Sequence, residues 1–111
     1  MKIRLAAIIA PAAVAAAFIV SPAFAADSAA GKTTYDGKCK TCHLADGSGN
    51  PGMGKAFGVT IKPLGGAEVQ AMSDADIKKV ITAGMGKMKP ISGVMGADAD
   101  NVVAYIRTMK K

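Results

Sequence analysis

Cys39-Lys40-Thr41-Cys42-His43 constrains this chain more than any other stretch. Two thiols three positions apart, with a histidine directly after the second, is the spacing for covalent haem attachment. Each sulfur adds across one porphyrin vinyl group to form a thioether. Two intervening residues let both sulfurs reach neighbouring vinyls from a single helical turn. The histidine then lies under the iron as its proximal ligand. The motif predicts Cys39 and Cys42 as attachment points and His43 as a metal ligand. It also demands a fold that wraps a flat apolar cofactor.

The rest of the composition limits how that iron is held. The chain has one histidine, so bis-histidine ligation within it is impossible. A structural zinc site draws its ligands from two separated clusters, and no second cluster is present. A thioredoxin-like disulfide needs a strand–helix context around C-x-x-C, whereas here a weak helix precedes the motif and a glycine loop follows. The sixth ligand is then a methionine, a lysine, water or nothing. Of seven methionines, Met72, Met95 and Met109 sit near or on expected helices and read as core filler. Met53 lies in the glycine loop after the motif. Met85 and Met88 fall in an irregular segment between two helices, where a side chain can be aimed at an open iron face. Met88, two residues before the stiffening Pro90, is preferred, with Met85 next and Met53 third.

The N-terminus carries an address. Lys2 and Arg4 precede an apolar run from Leu5 to Val20, and Ala23-Phe24-Ala25 is a small-x-small cleavage site. Residues 1–25 read as a secretory signal peptide, cut after Ala25. The apolar run falls short of the roughly 20 residues a spanning helix needs, so no membrane anchor is expected after cleavage. No cysteine near the site suggests a lipid anchor. Residues 26–111 form one domain, exported to the periplasm. Two close thiols there would tend to oxidise, and a cofactor that consumes both removes that hazard.

The formal charge of +6 includes Lys2 and Arg4, which leaves the mature domain at +4. That suits acidic protein partners or solubility rather than nucleic acid, since no basic run is interleaved with aromatics. Phe57, Tyr35 and Tyr105 are the only mature aromatics, so a central cofactor would supply core the side chains do not.

The expected elements are few. A frayed start over 27–30 leads into a helix from about Gly31 to Lys40, with Gly31, Tyr35 and Cys39 on one face. Residues 44–54 read as loop, anchored beyond by Phe57, Val59, Ile61 and Leu64, with 59–61 open to a short extended piece that has no second strand to pair with. Ser73 and Asp76 open a helix carrying Ile77, Val80 and Ile81, which Gly84 stops. The last helix runs from Ala97 or Asp98 to Thr108 or Met109, with Val102, Tyr105, Ile106 and Met109 as its apolar stripe. Asp98 and Asp100 suit its N-terminal end, and Arg107, Lys110 and Lys111 its C-terminal end.

Taken together, Gly31 and Tyr35, the C-x-x-C-H motif, Asp46-Gly47-Ser48-Gly49, Ser73 to Ile77, Gly84-Met85-Gly86-Lys87-Met88 and Val103 to Arg107 resemble a bacterial class I cytochrome c. The resemblance covers Gly31 to Met109. It implies an all-α cytochrome c fold, with short helices wrapped around one covalent haem c. It implies an axial methionine after a glycine-rich turn, matched by Met88, although the family's usual Met-Pro pair is here Met88-Lys89-Pro90. It also implies that the first and last helices cross where Gly31 and Tyr35 meet Tyr105. The implied function is a monomeric single-electron carrier between redox proteins, and not an enzyme. The alternatives are a haem sensor or peroxidase-like domain with an open sixth site, and a module of a larger redox complex. Lys38, Lys40, Lys55, Lys62, Lys87 and Lys89 would form a positive rim for acidic docking patches on its partners.

Overall fold

The computed structural model describes residues 25–111, so residues 1–24 of the expected signal segment lie outside the described residues. Six helices follow in order: α1 Ser28–Lys38, α2 Lys40–His43, α3 Pro51–Phe57, α4 Ala67–Gln70, α5 Asp74–Ala83 and α6 Gly96–Arg107. Among the described residues there is no strand, only an isolated bridge between Met85 and Met88. The all-α class is therefore as expected. No helix of the described residues is long and apolar enough to cross a membrane.

The sequence of α1 is a poor helix former, with Thr33, Thr34 and Gly37 inside it. Two things hold it. Its start is capped: the Asp27 carboxylate accepts from Ala29 N–H at 2.9 Å and Ala30 N–H at 3.2 Å. Asp27 N–H in turn donates to Asn101 Oδ1 at 2.8 Å, across the whole domain. Residues 27–30 are therefore not frayed, and the helix begins at Ser28 rather than Gly31. Its body is held by crossing α6. A Cβ on Gly31 would lie 1.9 Å from the Asn101 carbonyl oxygen, so only glycine lets the backbones meet this closely. One turn on, the Tyr35 and Tyr105 rings pack edge to face, 5.1 Å apart at 65°. This is the helix crossing that the resemblance implied.

The later helices follow their patterns closely. Ser73 Oγ accepts from Asp76 N–H at 3.1 Å, and Ile77 and Ile81 are buried. Gly84 ends α5 at φ 78°, a conformation that favours glycine. Helix α6 starts and stops slightly earlier than its pattern suggested. It buries Ala99, Val102, Val103 and Ile106, and Tyr105 and Met109 pack against that cluster.

The middle of the chain differs from expectation. Residues 51–54, read as loop, belong to α3. Asn50 caps it, its Oδ1 accepting from Gly52 N–H at 3.0 Å, and Pro51 occupies the first turn. Three glycines masked an Asn-Pro start that was present in the sequence. Helix α4 has four residues, too few for any periodicity to mark. Phe57 and Val59 are exposed at 47% and 40% rather than buried anchors, although Leu64 does pack on the core. Residues 59–61 form no strand. Met95 is 67% exposed and fills no core; it is the residue before α6.

Arg107 ties these pieces together. Its guanidinium donates to the Gln70 carbonyl at 2.9 Å, the Met72 carbonyl at 2.6 Å and the Asp74 carboxylate at 2.8 Å. Gln70 Nε2 donates to the Leu64 and Ile106 carbonyls at 2.8 and 3.0 Å. The corner between α4 and α5 is thereby pinned to α6. Its dipole-compatible position at a helix end did not disclose this role.

Candidate functional site

Helix α1 delivers the motif. Cys39 is both its last cap and the start of α2, its N–H bonded to the Tyr35 carbonyl at 2.8 Å. His43 N–H donates to the Cys39 carbonyl at 3.0 Å and Leu44 N–H to the Lys40 carbonyl at 2.8 Å. Cys39, Cys42 and His43 thus lie within about one helical turn, the arrangement the spacing predicts. Cys39 faces the core at 8% exposure, while Cys42 is half-buried, and both thiols are outside any disulfide. Burial pushes the Cys39 thiol up to about 11, so it stays protonated.

Burial has the opposite effect on His43, lowering its pKa and favouring the neutral imidazole that metal ligation requires. Its Nδ1 is buried and has no hydrogen-bond partner. A buried polar nitrogen without a partner costs free energy, so the ring is not spent on holding the fold.

The chain turns sharply just after His43. Leu44 has φ 63° and ψ 166°, and it is the only non-glycine residue with positive φ among the described residues. That region is nearly exclusive to glycine and costs on the order of 1–3 kcal/mol. The turn is clamped. Gly49 N–H donates to the His43 carbonyl at 3.0 Å, Asn50 N–H to the Cys42 carbonyl at 2.8 Å, and Asn50 Nδ2 to the Thr41 carbonyl at 3.2 Å. The Tyr35 hydroxyl donates to the Leu44 carbonyl at 2.5 Å. Burial raises the Tyr35 phenol, which keeps it a donor. Sequence reasoning missed these clamps. Asn50 beside Pro51 carried a capping signal, but nothing local linked Tyr35 to Leu44. A cavity of about 410 Å³ opens beside this turn, walled by Asn50, Lys55, Thr60 and Ile61.

Met88 is placed by a different element. Met85 and Met88 exchange both backbone hydrogen bonds, at 2.9 and 3.0 Å, closing a two-residue hairpin over Gly86 and Lys87. Gly86 has φ 58°, as the first position of a type II′ turn requires. A Cβ on Gly84 would lie 2.7 Å from the Met88 carbonyl oxygen. Ile91 N–H donates to the Ile81 carbonyl at 2.9 Å, tying the hairpin back to α5. Met88 is partly buried, whereas Met85 is 63% exposed. Met53 is partly buried within α3, not in a loop. The structure joins Cys39, Cys42 and His43 directly. It links them to the Met88 hairpin through one core that contains both Cys39 and Ile81.

Short helices closed by a glycine–aromatic crossing of the first and last, with C-x-x-C-H on a helical turn between them, define the class I c-type cytochromes. The family model described as cytochrome c oxidase, cbb3-type, subunit III matches residues 26–106. The chain is 34% identical over 94 residues to cytochrome c-554(547) of Halothiobacillus neapolitanus, covering 78% of this chain and 100% of that protein. It is 32% identical over 95 residues to cytochrome c6 of Rippkaea orientalis, covering 82% and 78%. Among solved structures it is similar to the KustC0563 c-type cytochrome, with TM-score 0.61 and 31% identity over 73% of this chain and 98% of that one. The chain belongs to the cytochrome c family, as a class I monohaem member with covalently bound haem c. Two undisulfided cysteines and an imidazole with a lowered pKa and a buried, unpartnered Nδ1, all on one turn, fit that group. Membership places the chain among small haem proteins of electron transfer.

Proposed function

We propose that the chain is an exported single-electron carrier whose haem c is joined through Cys39 and Cys42 and ligated by His43 and Met88. The observation that carries the reading is the motif turn: both thiols and an imidazole whose buried Nδ1 lacks a protein partner lie together on α2 and its cap. Haem supplies an iron that cycles between ferric and ferrous. The protein tunes it. Bound to that iron, the Met88 thioether would favour the ferrous state over what a harder ligand would give, and an apolar surround would disfavour the extra ferric charge. If His43 and Met88 both hold the iron, the protein would leave it no open position for substrate, and electron transfer without further chemistry would be the outcome.

The mature domain is residues 26–111, released into the periplasm as an unanchored monomer. The Asp27 cap and the family match beginning at residue 26 support that boundary. The ferric protein is expected to give the weak sulfur-to-iron charge-transfer band at the red edge of its absorbance, and the ferrous protein to leave carbon monoxide unbound. Tight carbon monoxide binding to the unmodified ferrous protein would establish the open-site sensor or peroxidase-like alternative instead.

Docking rests on the exposed lysines. Among the described residues Lys38, Lys40, Lys55, Lys87 and Lys89 are exposed and form no ion pair, whereas Lys62 is paired with Glu68. Four of the five flank Cys39 or Met88 in sequence. Such a rim speeds encounter with an acidic partner. Electron-transfer rate with an acidic redox partner is expected to fall as ionic strength rises, because exposed charges are screened over about 8–10 Å near physiological salt. A flat response would remove the steering role.

A further inference from the structure

The residue after His43 holds a strained conformation that the chain does not relieve with glycine. At φ 63° and ψ 166° the Leu44 side chain crowds its own backbone. Released, Leu44 would relax to negative φ and swing its carbonyl away from α1. The relaxation would not stay at Leu44. Its N–H is tied to the Lys40 carbonyl at 2.8 Å and the His43 carbonyl receives Gly49 N–H at 3.0 Å, so the motion pulls on the last turn of α2. That turn carries the imidazole.

Two donors reach the Leu44 carbonyl to oppose this: Gly47 N–H, from within the same turn at 3.1 Å, and one side chain, the only donor anchored in α1. The Tyr35 hydroxyl donates to that carbonyl at 2.5 Å from a ring that is wholly buried and braced by Tyr105. A buried aromatic needs no hydroxyl to fill a core, and phenylalanine would pack equally well against Tyr105. The hydroxyl has a specific acceptor, and that acceptor belongs to the one strained residue, adjacent to His43.

We propose that Tyr35 is a positioning residue for His43: its hydroxyl clamps the Leu44 carbonyl, holds the strained turn and so fixes the orientation of the imidazole. The proposal rests on reading His43 as the iron ligand.

The test uses the haem-bound protein and the substitutions Tyr35→Phe, Leu44→Gly, both together, and Tyr105→Phe as a control. In the ferric protein the hyperfine-shifted haem methyl resonances follow the orientation of the axial ligand plane. Tyr35→Phe is expected to change their order or spread, and Tyr105→Phe to leave both unchanged. Tyr35→Phe is also expected to lower the folding equilibrium constant about fivefold, the usual effect of losing one hydrogen bond, since the Leu44 carbonyl keeps Gly47 N–H at 3.1 Å. With Leu44→Gly the strain is gone, so the same substitution is expected to cost less than about threefold, a coupling that neighbours sharing one interaction show. Unchanged methyl resonances in Tyr35→Phe would overturn the proposal, as would an equal stability loss in both backgrounds. His43→Ala tests the underlying reading separately: survival of the wild-type methyl pattern there would remove His43 as ligand, and this proposal with it.

Discussion

Met88→Ala is expected to abolish the sulfur-to-iron charge-transfer band of the ferric protein, lower its reduction potential and let the ferrous form bind carbon monoxide. Met85→Ala is expected to leave all three as they are. Sequence spacing alone ranks the two methionines without separating them decisively, since both lie in the same irregular segment. The hairpin supplies the distinction. Residues directly opposite on an antiparallel pair project to the same side, so direction does not discriminate between Met85 and Met88. Packing does: Met88 is partly buried while Met85 is 63% exposed. Gly84 allows the chain to pass within contact of the Met88 carbonyl, and the Ile91–Ile81 bond fixes the hairpin to α5. Met88 is thus presented from a braced position. The fall in potential follows because a soft thioether stabilises ferrous iron, and water in its place does so less. A band that persists in Met88→Ala and disappears in Met85→Ala would assign the iron to Met85.

Gly31→Ala is expected to cost about 3 kcal/mol or more, at or beyond the upper end of ordinary overpacking effects. The added methyl would lie 1.9 Å from the Asn101 carbonyl oxygen and 2.4 Å from its carbon, and both are backbone atoms of α6 that no rotamer change can move aside. Relief requires α1 and α6 to separate, and that opens the contact between Tyr35 and Tyr105 and the surroundings of Val102, which is wholly buried. Domains of this kind have about 5–15 kcal/mol in total, so the loss is a large share. Gly37, in the same helix, meets nothing within 4 Å of an added Cβ and has ordinary helical φ. Gly37→Ala is therefore expected to be neutral or to stabilise by up to about 1 kcal/mol through helix propensity alone. Guanidinium denaturation of the holoprotein, followed by far-ultraviolet circular dichroism, reads both. A Gly31→Ala midpoint equal to wild type would mean that the helices do not cross at this glycine.

Much of the fold was open to inspection because its signals are local. Ser73 with Asp76, the spacing of Ile77 and Ile81, and the stop at Gly84 all lie within a few residues of one another, and α5 matches them. The α3 region went unread because glycine at 52 and 54 outweighed a valid Asn50-Pro51 start. Phe57 and Val59 were expected inside on hydrophobicity, yet connecting segments run over surfaces and leave such side chains exposed. The start of α1 looked frayed because its partner, Asn101, is 74 residues away.

By itself, the sequence determined the cofactor chemistry and the family. Covalent attachment needs its sulfurs at one short spacing, and a single histidine leaves one candidate for the proximal position. Both are properties of neighbouring residues. Tertiary structure alone decided how those residues are held. It placed Arg107 on three acceptors between α4 and α5, set Met88 apart from Met85 by burial, and brought the Tyr35 hydroxyl to a carbonyl nine residues on. The reason is physical. Periodicity records which face of an element is apolar, but hydrogen-bond partners across the core follow from the distance and angle at which α1 meets α6, and no local pattern encodes that crossing.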